Sequence, residues 1–144
     1  MTGNTTILGA SILLSSSFTQ AQDCIPTPHR TTGTHYAPVT EQKINVSQGV
    51  TVRGRILNAV CEPVANAKVA HWQAGMDGRY SDRLRAYLYT NEQGVYSFET
   101  EWPNLTPPHI HFIVTAKGYE MLETQWVGQA PSRKIEFDMV LDKK

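Results

Sequence analysis

The chain has 144 residues, enough for one domain with a single buried core. Thirteen basic and thirteen acidic side chains cancel, and no run of like charge occurs. That balance excludes a nucleic-acid partner or an anionic membrane surface recognised through net charge. No solenoid repeat and no low-complexity block is present.

Met1 to Ala21 contains no charged residue. Ile7-Leu8-Gly9-Ala10-Ser11-Ile12-Leu13-Leu14 is a short apolar run, followed by three serines and, at Ala21, a small residue. This pattern predicts a secretory signal over residues 1–21, with cleavage near Ala21 or Gln22, although no basic residue precedes the run. A plain N-terminal tail is the alternative. The run is too short to span a bilayer, so no membrane span is expected. The first assignment puts the protein outside the cell or in a periplasm, the second in the cytoplasm. Cys24 and Cys61 are the two cysteines. In an exported chain they would pair; in one kept inside they would be buried thiols.

Cys24 to Pro38 is rich in proline and threonine and predicts an extended arm laid over a domain. The arm is assigned to residues 22–49 and the domain to residues 50–144. From Val50 onward, apolar and polar residues alternate. Val50, Val52 and Ile56 form a first strand, Ala67 to Trp72 a second, and Leu84, Ala86 and Leu88 mark a third. Asn91-Glu92-Gln93-Gly94 reads as a hairpin-type connection into Val95-Tyr96-Ser97-Phe98. Trp102 to Pro108 is a loop, His109 to Ala116 a strand, and Leu122 to Val127 another. Ile135, Phe137, Met139 and Leu141 share one face of a last strand. About seven short strands and no amphipathic helix give an all-β domain, most simply a two-sheet sandwich.

Pro107-Pro108-His109-Ile110-His111-Phe112 is the most informative stretch. Residues i and i+2 of a strand point to one face, so His109 and His111 project together while Ile110, Phe112 and Val114 pack inward. Two imidazoles so aligned are either a polar pair on a half-buried sheet or part of a metal site. His71 and His29 are expected to be structural or exposed, and Trp72 to belong to the core. Trp102 either walls a site against an aromatic molecule or covers the end of the sheet.

Two resemblances follow. Val52-x-Gly54-x-Ile56, Pro63-Val64-Ala65-Asn66-Ala67-x-Val69 and Thr90-x-x-x-Gly94-x-Tyr96-x-Phe98 resemble the transthyretin-like and carboxypeptidase-regulatory-like sandwiches, which are mostly structural modules. A second set is more specific. Cys24-Ile25-Pro26-Thr27-Pro28, Thr32-Gly33, Val69-x-x-Trp72-Gln73-Ala74, Gly78-x-Tyr80-Ser81, Leu84-Arg85, Pro108-His109-Ile110-His111-Phe112 and Thr124-Gln125 resemble, in order, the intradiol ring-cleavage dioxygenases of catechol and protocatechuate type. The likeness is to compact secreted members.

That resemblance implies non-haem iron(III) held by Tyr80, His109 and His111, with Gln125 near the substrate and Tyr36 or Trp102 facing it. It implies a catechol-like substrate and O₂, with ring opening between the hydroxyl-bearing carbons. A homo-oligomer is compatible with it. The chain also departs from the family. The loop Glu101-Trp102-Pro103-Asn104-Leu105-Thr106 lacks the family's second tyrosine, Thr106 stands where the family has an active-site arginine, and Gly33-Thr34-His35-Tyr36 replaces a Gly-Pro-aromatic-Tyr element. His35, Tyr87 or Tyr89 could substitute as ligand or base; Tyr87 and Tyr89 could equally be solvent-facing sheet residues. Three functions stay open: an intradiol-type dioxygenase, a noncatalytic sandwich module, and a metalloprotein with other oxidative chemistry.

Overall fold

The computed structural model describes residues 2–4, 9–13 and 23–144. Most of the segment expected to be a secretory signal therefore lies outside the described residues. Among those described, no helix is long and apolar enough to cross a membrane.

Alternation in the sequence becomes eight strands: β1 (Val50–Asn58), β2 (Lys68–Ala74), β3 (Tyr80–Tyr89), β4 (Val95–Thr100), β5 (His109–Thr115), β6 (Leu122–Val127), β7 (Lys134–Glu136) and β8 (Met139–Leu141). They form two sheets. One has the order β4-β1-β7, with β8 also pairing with β1; the other is β3-β2-β5-β6, antiparallel throughout. The inner faces meet in a core of Val52, Ile56, Val69, Tyr96, Phe98, Ile110, Phe112, Val114, Ile135, Met139 and Leu141. The class is all-β, a two-sheet sandwich, as the alternation predicts.

Two local expectations need correction. Asn91–Gly94 does not close a hairpin: β3 and β4 lie in different sheets, so the turn is a corner between layers. Asn91 Oδ1 accepts from the backbone N–H groups of Gln93 and Val95, and Gly94 has φ +71°, so the turn is tight while the strands diverge. The last strand is also split in two. Phe137 N–H donates to the Arg53 carbonyl, and Asp138 Oδ1 accepts from Arg55 N–H at 2.8 Å, which interrupts the ladder between β7 and β8. The face pattern survives, with Ile135, Met139 and Leu141 buried.

The arm laces the sheet edges together. Cys24 is disulfide-bonded to Cys61, and Thr27 N–H donates to the Val140 carbonyl. Arg30 N–H then donates to the carbonyl of Glu123 on β6, and Thr32 N–H to its carboxylate at 2.6 Å. A 3-10 turn, Gly33–His35, crosses the outer face of the second sheet. Beyond it, Gln42 bridges to Tyr87 on β3 and Asn45 to Glu99 on β4. Four strands, β8, β6, β3 and β4, whose edge backbone would otherwise be unpaired are thereby covered at these points.

Candidate metal centre

The site lies on the outer face of the β3-β2-β5-β6 sheet. Register places Arg85, Trp72, His111 and Gln125 in one cross-strand row. His109 follows on the same face, because it is two residues from His111 along β5. Tyr80 opens β3, opposite Ala74 at the end of β2, where the register shifts after Trp72. That irregularity brings the phenol over the histidines.

The three side chains meet. The Tyr80 hydroxyl lies 3.1 Å from His109 Nε2 and 3.1 Å from His111 Nε2. His109 Nδ1 faces the Pro107 carbonyl at 2.8 Å, which places its proton on Nδ1 and leaves the Nε2 lone pair for the phenol side. His111 is buried, and its Nδ1 has no hydrogen-bond partner. Burial, reinforced by the charges of His109, His35 and Arg85, lowers its pKa to about 4. Burial raises the Tyr80 pKa, and Arg85 works against that rise.

The partnerless Nδ1 leaves the His111 tautomer open: with its proton on Nε2 the three groups hydrogen-bond in a chain, and with its proton on Nδ1 the cluster has a lone pair in excess. In that second state a cation among the three atoms satisfies all of them. One phenol and two imidazoles combine a hard anionic donor with two borderline ones, a set that suits a ferric ion. No group of three His, Cys, Asp or Glu occurs among the described residues, so the phenol is needed to complete the set.

The surroundings are built from three directions. Trp72 stacks under His111, with ring centroids 5.1 Å apart and planes within 8°. His35 stacks on Tyr80 at 4.4 Å and 6°. Tyr36 sets its edge on Trp72 at 5.6 Å. A cavity of about 490 Å³ opens beside the donors, lined by His35, Gly78, Arg79, Tyr80, Leu105 and His109.

Placement of the sequence candidates is mixed. Tyr80, His109 and His111 converge. Gln125 is the cross-strand neighbour of His111, on the same face. Tyr36 is half-exposed above Trp72 and outside the lining of that cavity. Trp102 is not at the donors. It packs edge to face on Trp126 at 6.0 Å, against the inter-sheet core, because the chain leaving β4 turns inward to close the sandwich end. Trp72 is fully buried, but on the donor face and not between the sheets. His71 is the core histidine, stacked on Phe98 at 3.7 Å. Tyr87 and Tyr89 pair with each other, with Lys68 over the Tyr87 ring, away from the donors. Sequence reasoning gave no role to Arg85, although its place on the Tyr87–Tyr89 face was available from alternation alone.

No protein-family model matches the chain. Catechol 1,2-dioxygenase 2 of Acinetobacter lwoffii is 30% identical, with 62% of this chain and 45% of the relative aligned. Hydroxyquinol 1,2-dioxygenase of Rhizobium sp. strain MTP-10005 is 29% identical over 54% of this chain and 36% of its own length. The chain thus spans less than half the length of these curated relatives. Among solved structures, the dioxygenase domain of a dioxygenase–carbohydrate-binding fusion from Streptomyces sp. SirexAA-E superposes with TM-score 0.75 at 23% identity, covering 83% of this chain and 100% of that one. The 3-chlorocatechol 1,2-dioxygenase of Rhodococcus opacus 1CP gives TM-score 0.70 at 20% identity, covering 82% and 73%. In sequence this chain is similar to catechol and hydroxyquinol 1,2-dioxygenases, and in fold to solved intradiol-type dioxygenase domains.

Proposed function

We propose that the chain is an iron(III)-dependent intradiol-type dioxygenase domain with a reduced, three-donor centre, acting on a catechol-like aromatic and O₂. The observation that carries this is the convergence of the Tyr80 hydroxyl and two imidazole Nε2 atoms on one point. Tyr80, His109 and His111 would hold the metal. When bound, the ferric ion supplies the Lewis acidity and electron-accepting chemistry that opens a chelated catechol to O₂.

The chain's own residues do the rest. His109 is oriented by the Pro107 carbonyl, which presets its Nε2 lone pair, and the Trp72 stack pins the plane of the His111 ring. The cavity beside them, about 490 Å³, is large enough for an aromatic ring. Within its lining, His35 is the group outside the donor set that can accept a proton from a substrate hydroxyl. Gln125, the cross-strand neighbour of His111, would hydrogen-bond a substrate oxygen. Export belongs to this proposal and is supported by the Cys24–Cys61 disulfide, a bond that persists in oxidising compartments.

Iron-loaded protein should be coloured by a tyrosinate-to-iron transition, and Tyr80→Phe should abolish the colour. Catechol and O₂ should yield a ring-opened, muconate-type dicarboxylate. Loaded protein that is colourless and forms no such product overturns the proposal. The loop from Glu101 to Thr106 brings no second phenol, which favours one other reading: different oxidative chemistry on the same metal. Coloured protein whose product is a quinone, with no ring-opened acid, would select it.

A further inference from the structure

Arg85 is the charged member of the row that carries His111. Its side chain is 10% exposed. Nη2 donates to the His35 carbonyl at 2.8 Å, while Nε and Nη1 are buried without a hydrogen-bond partner. The carboxylate in ion-pair range is Asp82, 3.6 Å from Nε, and that side chain is fully exposed. A solvated carboxylate at this range returns little of what a buried cation loses in hydration.

A site with an underpaired positive charge suits negative charge that arrives later. Two groups on this face would bring it: the Tyr80 phenol, once it gives its proton up to bind a cation, and a catechol that loses its protons on chelation. Arg85 lies close enough for its charge to act on both Tyr80 and His111. In the loop before the histidines, Thr106 is exposed and uncharged.

We propose that Arg85 is the positive charge of this centre, a positioning residue for the anionic substrate that works from under the 33–36 turn, where the dioxygenases this chain resembles place an arginine in the loop before the histidines. The inference rests on the iron-dependent proposal above. It makes opposite demands on two ligands. Arg85 repels the metal and attracts the catecholate, so removing its charge should not weaken the first and should weaken the second.

The test uses the full chain loaded with iron, titrated without O₂ with nitrocatechol, a chromophoric catechol, at fixed pH. Arg85→Gln should retain iron as well as the unaltered protein or better, and bind nitrocatechol about tenfold more weakly. Arg85→Lys, which restores the charge without the planar fork, should come back to within about threefold. A residue that only clamps the His35 carbonyl would behave otherwise. Iron and nitrocatechol would weaken together, and Lys would do no better than Gln; that pattern overturns the inference, as does unchanged nitrocatechol affinity in Arg85→Gln. Unaltered protein that takes up iron without colour overturns the functional proposal itself, and this inference with it. If Arg85→Gln does not fold, Arg85→Lys decides. Near-normal nitrocatechol affinity, together with faster proteolysis between residues 33 and 40, supports the inference, and a tenfold loss overturns it.

Discussion

Trp72 and His111 lie face to face on neighbouring strands, with their planes within 8° of each other. The indole is fully buried although it sits on the outer face of its sheet. It therefore acts as a platform that holds His111, a donor in the proposed metal centre, in a single orientation. Trp72→Phe keeps an aromatic platform and should leave the fold intact while lowering iron affinity by about tenfold, measured by competition with a chelator. Trp72→Ala should cost about 3–5 kcal/mol of stability in urea denaturation.

Gly54 is required by backbone packing and not by a turn. A Cβ there would lie 1.9 Å from the Phe137 carbonyl oxygen and 2.8 Å from the Tyr96 hydroxyl. Tyr96 donates to that same carbonyl, so neither obstacle is free to move. Gly54→Ala should destabilise the fold by roughly 2–3 kcal/mol through forced separation of β1 from the β7–β8 break. Denaturation midpoints would check this, and a change below 0.5 kcal/mol, the level of an ordinary surface substitution, would contradict it.

Glu101 joins three elements that frame the site. Its carboxylate accepts from Arg83 at 2.6 and 3.1 Å, from Met76 N–H at 2.8 Å and from Ser47 Oγ at 2.9 Å. Hydrogen bonding to Arg83, with help from Met76 and Ser47, holds its pKa down at about 2 against burial. The folded-state value lies below the unfolded one, so the stabilisation is complete above about pH 4.5 and is lost as pH falls towards 2. Glu101→Gln should lower the melting midpoint at neutral pH by on the order of 5 °C and flatten the acid limb over that window.

His71 contributes to acid sensitivity by a different route. It is fully buried against Phe98 with neither ring nitrogen hydrogen-bonded, and burial lowers its pKa to about 3. The unfolded chain takes up this proton from about pH 6.5 downward while the folded one does not, so stability falls between pH 6.5 and 3. His71→Phe should be stabilising by about 1 kcal/mol at neutral pH, since it removes two unsatisfied polar atoms. It should also remove a slope of about 1.4 kcal/mol per pH unit within that window. Thermal melts of both proteins at pH 7 and pH 5 would show the difference.

Much of this site was legible in the sequence, because a strand's side-chain period is two. His109 and His111 had to share a face, and Ile110, Phe112 and Val114 had to share the other. Tyr80 could be joined to them through the family resemblance but not through spacing, since the register shift that lifts its phenol over the histidines leaves no compositional mark. Trp102 was ambiguous because an indole at a strand end can turn either way; the partner that decided it, Trp126, is distant in sequence. Asn91–Gly94 has the chemistry of a hairpin, yet the choice between pairing and changing sheets depends on where β1 and β2 lie. Arg85 was missed because nothing local distinguishes a buried guanidinium from a solvated one.

His35, stacked on Tyr80, is the arm's contribution to the cavity wall; the remaining lining residues belong to the sandwich and its loops. The arm is fastened at Thr32 and Gln42, and between them the hydrogen bond from Arg85 to the His35 carbonyl ties it down. Scaffold and arm can therefore vary separately. Changing the length of the arm between Thr32 and Gln42 would shift the His35 side of that cavity while Tyr80, His109 and His111 stay where the sandwich puts them.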